Sequence, residues 1–144
     1  MREVRRSALV SVSSSNMYDL VNDVAAYPDF IHWCRTATVH KETDRLMEAS
    51  LELSSGGLSK TFTTRNELVP HRSIEIGLLD GPFRHLEGRW LFEEIDSSAS
   101  HVELEMRFEF SNPVKSLLYS RMFEDMANSL VDSFARRAHQ IYER

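Results

Sequence analysis

Histidines and the single cysteine come first, because these side chains most often hold metals or take part in catalysis. The 144-residue chain has one cysteine, Cys34, which supports neither an intramolecular disulfide nor a cysteine-based zinc site. The histidines neither pair at helical i, i+4 spacing nor match a zinc motif, so we expect no metal site. They are His32, His40, His71, His85, His101 and His139.

Other arrangements that perform catalysis are also missing from the sequence. The run Ser54 to Gly57 (SSGG) lacks the glycine pattern and the strand-to-helix context of a nucleophile elbow. The glutamates of segment 101–110 alternate with apolar residues and should face water, whereas acid–base chemistry needs burial to tune the carboxylate pKa. A lone buried thiol such as Cys34 is typical of packing. The sequence predicts a non-enzymatic protein with no catalytic residue and no required cofactor.

Charge and hydropathy limit the partners. The formal net charge is −5, which weighs against DNA binding through many phosphate contacts. Arginines nevertheless cluster near both ends of the chain: Arg5 and Arg6 at one end, Arg136 and Arg137 at the other. No apolar run is long enough to span a bilayer, and the basic N-terminus has no signal-peptide-like apolar stretch behind it. We expect a cytoplasmic protein with at most peripheral membrane contact.

The first third of the chain predicts one strand and two short helices. Val4 to Val12 alternates as a strand, and Ser13 to Ser15 then offers hydroxyls that cap a helix N-terminus. Apolar residues follow at helical spacing as far as Val24. Segment 25–28 should break this helix, because the residue before a proline is pushed out of the helical region. Segment 29–34 then predicts a second short helical turn.

From position 37 to position 110, a period of two residues replaces the helical period. The alternation is most regular at 101–110 and is typical of an antiparallel sheet with one covered and one solvated face. Turn signals separate successive segments, such as SSGG at 54–57 and DGP at 80–82. The predicted strands cover 37–42, 46–53, 60–68, 74–78, 86–92 and 101–110.

The last segment predicts a long amphipathic helix. Asn112 suits a cap and Pro113 suits the first helical position, so the helix should run from Pro113 to about Tyr142, or about 45 Å. Its wide, slanted apolar stripe suits a helix that lies across a twisted sheet. We predict a single α+β domain over residues 1–144 with a helix-grip fold. A curved seven-stranded antiparallel sheet would hold the long C-terminal helix, with two short helices after the first strand.

A cavity between sheet and helix would follow, since a bent sheet and a straight helix touch at few places. Its aromatic and Met-rich lining suits an apolar ligand, although such a stripe is more often ordinary core. Asn66 lies an even number of positions after Phe62 on the same strand, so its side chain should also face inward. There it would bind a ligand carbonyl or a water, or satisfy the backbone of a neighbouring bulge. The candidate cavity residues are Phe30, Trp33, Phe62, Thr64, Asn66, Trp90, Phe92, Met106, Phe108, Met122, Met126 and Leu130.

Four motifs carry a resemblance: YPDFIHWC at 27–34, KTFTTRN at 60–66, GPF at 81–83 and GRWLF at 88–92. Together they resemble a START-like family within the polyketide cyclase/dehydrase-like superfamily. This family contains the coenzyme Q-binding proteins and the bacterial ribosome association toxins (RatA). The resemblance covers nearly the whole chain, and the predicted element order is similar to the helix-grip fold of the family. Segments 20–24 and 60–66 are most similar to the toxin branch.

The resemblance implies two functions. The coenzyme Q-binding members imply a ubiquinone or similar prenyl lipid in the cavity between the sheet and the C-terminal helix, in support of cellular respiration. Alternatively, the toxin members imply binding to the large ribosomal subunit and a block of subunit association, which inhibits translation initiation. By motif, Tyr27 and Phe83 join the cavity candidates, and the four terminal arginines named above become candidate ribosome contacts. The resemblance also implies a bacterial protein, which we expect to be a monomer.

Overall fold

Seven strands and one long helix make up most of the chain in the computed structural model, which describes residues 1–112 and 116–142. The predicted helix start at Pro113 lies outside these residues. Six of the seven strands are longer than the alternation of apolar residues predicted, because the backbone hydrogen bonds between strands continue beyond the last apolar residue. The elements are β1 (Arg2–Val10), α1 (Ser14–Asn22), a 3₁₀ helix (Val24–Asp29), β2 (Cys34–Glu42), β3 (Leu46–Ser55), β4 (Leu58–Val69), β5 (Ser73–Asp80), β6 (Phe83–Asp96), β7 (Ala99–Phe110) and α2 (Ser116–Tyr142).

All seven strands belong to one antiparallel sheet with the order β1-β7-β6-β5-β4-β3-β2. β1 and β2 are the two edges, so the sheet is open and does not close into a barrel. Register shifts, at which strands bend locally, interrupt the β2–β3, β4–β5 and β6–β7 pairings. The predicted α+β helix-grip architecture is therefore confirmed.

The two faces of the sheet differ as the alternation predicted. In β7, Val102, Leu104, Met106, Phe108 and Phe110 are buried, while the alternate side chains from His101 to Glu109 are at least partly exposed. α2 lies against this buried face and packs mainly on β1 and β7. The rings of Phe108 and Phe134 are almost fully buried and mark the centre of the core. Burial of each such ring contributes roughly 1.5–3 kcal/mol.

The two short helices are present, but the second lies earlier than the pattern predicted. α1 is capped by the Ser13 hydroxyl, which accepts a 3.2 Å hydrogen bond from the Asn16 amide. The next helix covers Val24–Asp29 and not segment 29–34, because a 3₁₀ helix tolerates Pro28. One turn closes from the Ala26 amide to the Asp23 carbonyl and the next from the Phe30 amide to the Tyr27 carbonyl, so the N–H that proline lacks is not needed.

The β5–β6 turn packs tightly onto the inner face of β4. Gly81 has a φ of +147°, and a Cβ atom placed on it would lie 2.6 Å from the Cβ of Phe62. Only glycine fits this position, because any side chain would overlap Phe62 and would also strain the backbone. The turn thereby brings Phe83 to within 5.5 Å of the Phe62 ring, measured between centroids.

The long helix is tied to the edge strand β1 by two ion pairs. Arg2 pairs with Glu124, and Arg6 pairs with Asp132 at 3.4 Å. These contacts hold α2 over one side of the sheet, which leaves room beside it on the β3–β4 side. Within the described ranges, no helix is both long enough and apolar enough to cross a membrane.

Candidate functional site

An apolar cavity lies between α2 and the inner face of the sheet, on the side away from β1. Its volume is about 80 Å³. A buried water needs roughly 10–15 Å³, whereas sites for drug-sized ligands measure roughly 300–1,000 Å³. The cavity therefore has room for a few waters or a small apolar molecule, and a polyprenyl quinone would require it to widen.

Nine of the predicted cavity residues line this space. They come from the segment between α1 and β2, from the central strands and from α2, so elements that are distant in sequence converge here. The strands contribute through period-two alternation, and the helix contributes one part of its apolar stripe. The nine are Tyr27, Trp33, Phe62, Thr64, Asn66, Trp90, Met106, Met126 and Leu130.

Five predicted residues do not line the cavity, although they lie on the apolar side of their elements. Phe83 and Phe108 belong to a ring cluster with Phe123 that fills the space at the β5–β6 turn. Phe92 packs edge-on against a tyrosine of α1, at 5.7 Å between centroids. Met122 lies against the β3–β4 turn. The fifth residue, Phe30, lies outside the cavity lining, and the guanidinium of Arg137 covers its ring.

Eight lining residues were not among the candidates. Each lies on an apolar face that the sequence pattern had identified. The pattern shows which side chains share a face, but it does not show which part of that face α2 leaves uncovered. Phe134, an aromatic residue of the apolar stripe of α2, was the strongest missed signal. The eight are Val24, Ala49, Leu51, Ile76, Leu86, Phe123, Ala127 and Phe134.

A polar pair lies on the β4 wall of the cavity. The Thr64 hydroxyl donates a 3.1 Å hydrogen bond to the side-chain oxygen of Asn66, and both residues are buried. Inward-facing Asn66 was predicted from parity, and its first partner is a neighbour on the same strand. The Asn66 side-chain nitrogen retains donor capacity, so the wall can offer one hydrogen bond to a ligand oxygen or to a water.

The other polar groups of the lining are already engaged. The Tyr27 hydroxyl donates to the Val21 carbonyl, and burial raises the pKa of this phenol well above its usual value. The indole N–H of Trp33 donates to the Ser129 hydroxyl at 3.4 Å, which joins the region before β2 to α2. Both side chains therefore fix the cavity wall and have no proton available for chemistry near neutral pH.

Cys34 lies behind the cavity wall at the start of β2 and is buried. Burial, with a smaller contribution from the charge of Glu52, raises the pKa of its thiol to about 11. Because the thiolate is the reactive form, this thiol is almost wholly protonated at neutral pH. The prediction that Cys34 is a packing residue agrees with this environment.

The lining contains no acid or base with a working pKa near neutrality, within the described part of the chain. Across residues 1–112 and 116–142, no group of three or more His, Cys, Asp or Glu side chains is arranged to hold a metal ion. The six histidines all lie outside the lining; His32, His40 and His71 are exposed. The arrangement suits binding of an apolar molecule better than proton transfer.

The four candidate arginines do not form one patch. Arg5 lies on the outer face of the sheet and pairs with Glu105, whereas Arg6 points toward α2 and pairs with Asp132. Arg136 is exposed on α2, one turn after Asp132. Arg137 is half-buried, with its guanidinium carbon 5.3 Å from the centroid of the Phe30 ring. Arg136 and Arg137 thus lie on α2 and Arg6 points toward it, whereas Arg5 lies on the outer face of the sheet.

The fold and the position of the apolar cavity define a helix-grip protein. A family model described as "Polyketide cyclase / dehydrase and lipid transport" matches residues 10–135. The chain belongs to this family, and the predicted START-like resemblance is confirmed.

Among curated relatives, the chain is 45% identical over 142 residues to the "Ribosome association toxin RatA" of Vibrio cholerae, covering 99% of both chains. It is 27% identical over 146 residues to the "Coenzyme Q-binding protein COQ10 homolog B, mitochondrial" of Xenopus laevis, covering 99% of this chain but 60% of that protein. Both branches that the motifs had indicated are therefore found, and the similarity to the toxin branch is the greater.

Two solved structures have the same fold. The Zhui aromatase/cyclase from a Streptomyces species superposes with a TM-score of 0.86 at 17% identity, covering 96% of this chain and 94% of that one. A START superfamily protein from Mycobacterium smegmatis gives a TM-score of 0.82 at 17% identity, covering 96% and 98%. At these identities the likeness establishes the fold alone, because one fold supports both enzymes and binding proteins.

Proposed function

We propose that this chain is a ribosome-directed regulator that binds the large ribosomal subunit and lowers its association with the small subunit. The observation that carries the proposal is the 45% identity, over 99% of both chains, to a relative named as a ribosome association toxin. The proposal includes a cytoplasmic location, action as a monomer and inhibition of translation initiation.

Two features of the molecule support this proposal. The cavity of about 80 Å³ is small for a prenyl lipid, so the surface is the better place for a large partner. That surface carries exposed arginine on α2 at Arg136, with no ion pair described for it within residues 1–112 and 116–142. An unpaired arginine suits contact with phosphate groups, which are the main charge on a ribosome.

Induced expression in a bacterial host tests this proposal. Ribosome profiles on sucrose gradients should show fewer joined ribosomes and more free subunits, with the chain co-sedimenting with the large subunit. A matched control is the same chain with Phe108→Asp, which disrupts the core and should leave the profile normal. Unchanged profiles with soluble wild-type chain present would exclude the proposed role.

A hydrophobic-ligand function is the second candidate, and the apolar cavity with its Thr64–Asn66 pair favours it. The family description includes lipid transport, and one relative is named as coenzyme Q-binding. A ubiquinone or similar prenyl lipid would place a ring oxygen near Asn66 and would require α2 to move outward. The two functions are compatible, since one uses the interior and the other the surface.

Solvent extraction of the chain purified from its native host tests the second candidate. Mass spectrometry of the extract should detect a quinone or another prenyl lipid, and titration with a short-chain quinone should saturate at one molecule per chain. An empty extract together with no saturable binding would rule out this function. We also propose that the chain has no cyclase or dehydratase activity, since its cavity lacks a group suited to proton transfer.

A further inference from the structure

The most unusual charged group on the surface is the guanidinium of Arg137. It stacks on Phe30, with 5.3 Å between the guanidinium carbon and the ring centroid, which is within the range of a cation–π contact. The Phe30 ring is itself supported from below by Phe134, at 5.4 Å between centroids. Arg137 is therefore held on a rigid platform that is anchored in the core.

This guanidinium forms no ion pair among the described residues. Its Nε atom is buried and has no hydrogen-bond partner, and no carboxylate forms an ion pair with it in residues 1–112 and 116–142. By contrast, Arg5 and Arg6 are each paired with a carboxylate. Partial burial of an unpaired charge costs stability, so a fold retains such a group where another molecule supplies the missing anion.

We infer that Arg137, held on Phe30, binds a phosphate group of ribosomal RNA, an inference that rests on the proposed ribosome association. A planar guanidinium presents two N–H groups side by side, which matches two phosphate oxygens. The stacked arrangement fixes the direction of these donors before binding, so little side-chain entropy is lost. The exposed Arg136 is the next residue of α2 and supplies a second cation beside the first.

RNA fits these observations better than a protein partner does. An arginine that is held on an aromatic ring and forms no ion pair suits a phosphate, and RNA carries a phosphate at every nucleotide. The most exposed apolar residues of α2, Leu117 and Leu118, which a protein interface would bury, are at its other end, and Tyr142 is the one large apolar side chain exposed at this end of the described helix. The anchor is thus distinct from the cavity, although Phe134 contributes to both.

The test measures binding of the purified full-length chain to purified bacterial large ribosomal subunits between 50 and 200 mM potassium chloride (roughly the range over which phosphate contacts show their salt dependence). Arg137→Gln should weaken binding about tenfold and reduce the slope of log K against log salt by roughly 0.7–0.9. Phe30→Leu should weaken binding without changing this slope. Arg121→Gln is the matched control, about 24 Å away along α2, and should bind as the wild type does.

Two further measurements separate the alternatives. Thermal denaturation verifies that each variant is folded. Arg137→Lys keeps the charge but loses the planar group that stacks on Phe30, so it should bind with intermediate affinity. Large subunits that carry 4-thiouridine should cross-link under ultraviolet light to a peptide that contains Phe30 or Arg137. A wild-type chain that does not bind the subunit overturns the proposed function itself. Normal binding with an unchanged salt slope in Arg137→Gln, or cross-links to ribosomal protein alone, overturns only the phosphate anchor.

Discussion

Thr64 and Asn66 form a buried pair on the cavity wall, joined by a 3.1 Å hydrogen bond from hydroxyl to side-chain oxygen. The two residues lie two positions apart on β4 and so share the inner face of the sheet. They are the polar contribution of β4 to an otherwise apolar lining. The pair therefore affects both the stability of the core and the kind of ligand that the cavity accepts.

Removal of both members of this pair should cost less stability than the sum of the two single removals. Thr64→Val or Asn66→Leu alone leaves a buried polar partner unpaired, which should lower the free energy of unfolding by roughly 1–3 kcal/mol. The double variant removes both groups and should be destabilised by less than the sum of the single changes. Urea denaturation of the four proteins measures this coupling. Strict additivity would show that the hydrogen bond contributes nothing to stability.

The glycine of the β5–β6 turn should be irreplaceable. Gly81→Ala places a Cβ atom 2.6 Å from the Cβ of Phe62, so we expect a loss of more than about 2 kcal/mol. Gly57→Ala is the control, because Gly57 also has a positive φ, of +88°, but has nothing within 4 Å of an added Cβ. The control should cost about 1 kcal/mol. Equal melting temperatures for the two variants would contradict the close packing of this turn.

The Cys34 thiol should react slowly, and it should make the free energy of unfolding fall as the pH becomes alkaline. Its folded pKa of about 11 exceeds that of an unfolded thiol, so at pH 8 a thiol reagent should modify the native chain about a hundredfold more slowly than the unfolded chain. The protonated thiol favours the folded state, and this contribution should be lost as pH rises from about 9 to 11. Cys34→Ala should lack that part of the pH dependence. Rapid modification of the native chain would mean that the thiol is accessible.

Filling the cavity should separate the two candidate functions. Ala127→Leu adds a side chain into the lined space, so we expect quinone binding to weaken at least tenfold while the effect on ribosome profiles is retained. Asn128→Leu is the matched control, because residue 128 is the next position of α2 and does not line the cavity. If Ala127→Leu loses its effect on ribosome profiles and Asn128→Leu keeps it, the cavity and the ribosome-binding surface act together.

Sequence periodicity predicts the faces of this fold well and its interior space poorly. Alternation along β4 places Phe62, Thr64 and Asn66 on the inner face, where the structure has them. The same rule cannot show where α2 stands away from the sheet, so Phe108 was grouped with the cavity although it is solid core. That distinction depends on the helix position, which the ion pairs to β1 help to set.

Two local errors have equally physical causes. Pro28 signals a break in an α-helix, but the shorter hydrogen-bond pattern of a 3₁₀ helix accommodates it, which moves the second helix toward the N-terminus. Arg5 and Arg6 appear as one basic cluster in the sequence, yet neighbours in a strand point to opposite faces. The stack of Arg137 on Phe30 joins residues more than 100 positions apart, and no local pattern predicts it.

The proposed function is a direct action of this chain on ribosomal subunits. Light scattering of purified bacterial subunits, mixed in a magnesium concentration that favours joining, measures that action directly. Chain pre-incubated with the large subunit should lower the amplitude of joining in proportion to its concentration, and Arg137→Gln should shift the required concentration upward about tenfold. Full joining in the presence of excess folded wild-type chain would contradict the account.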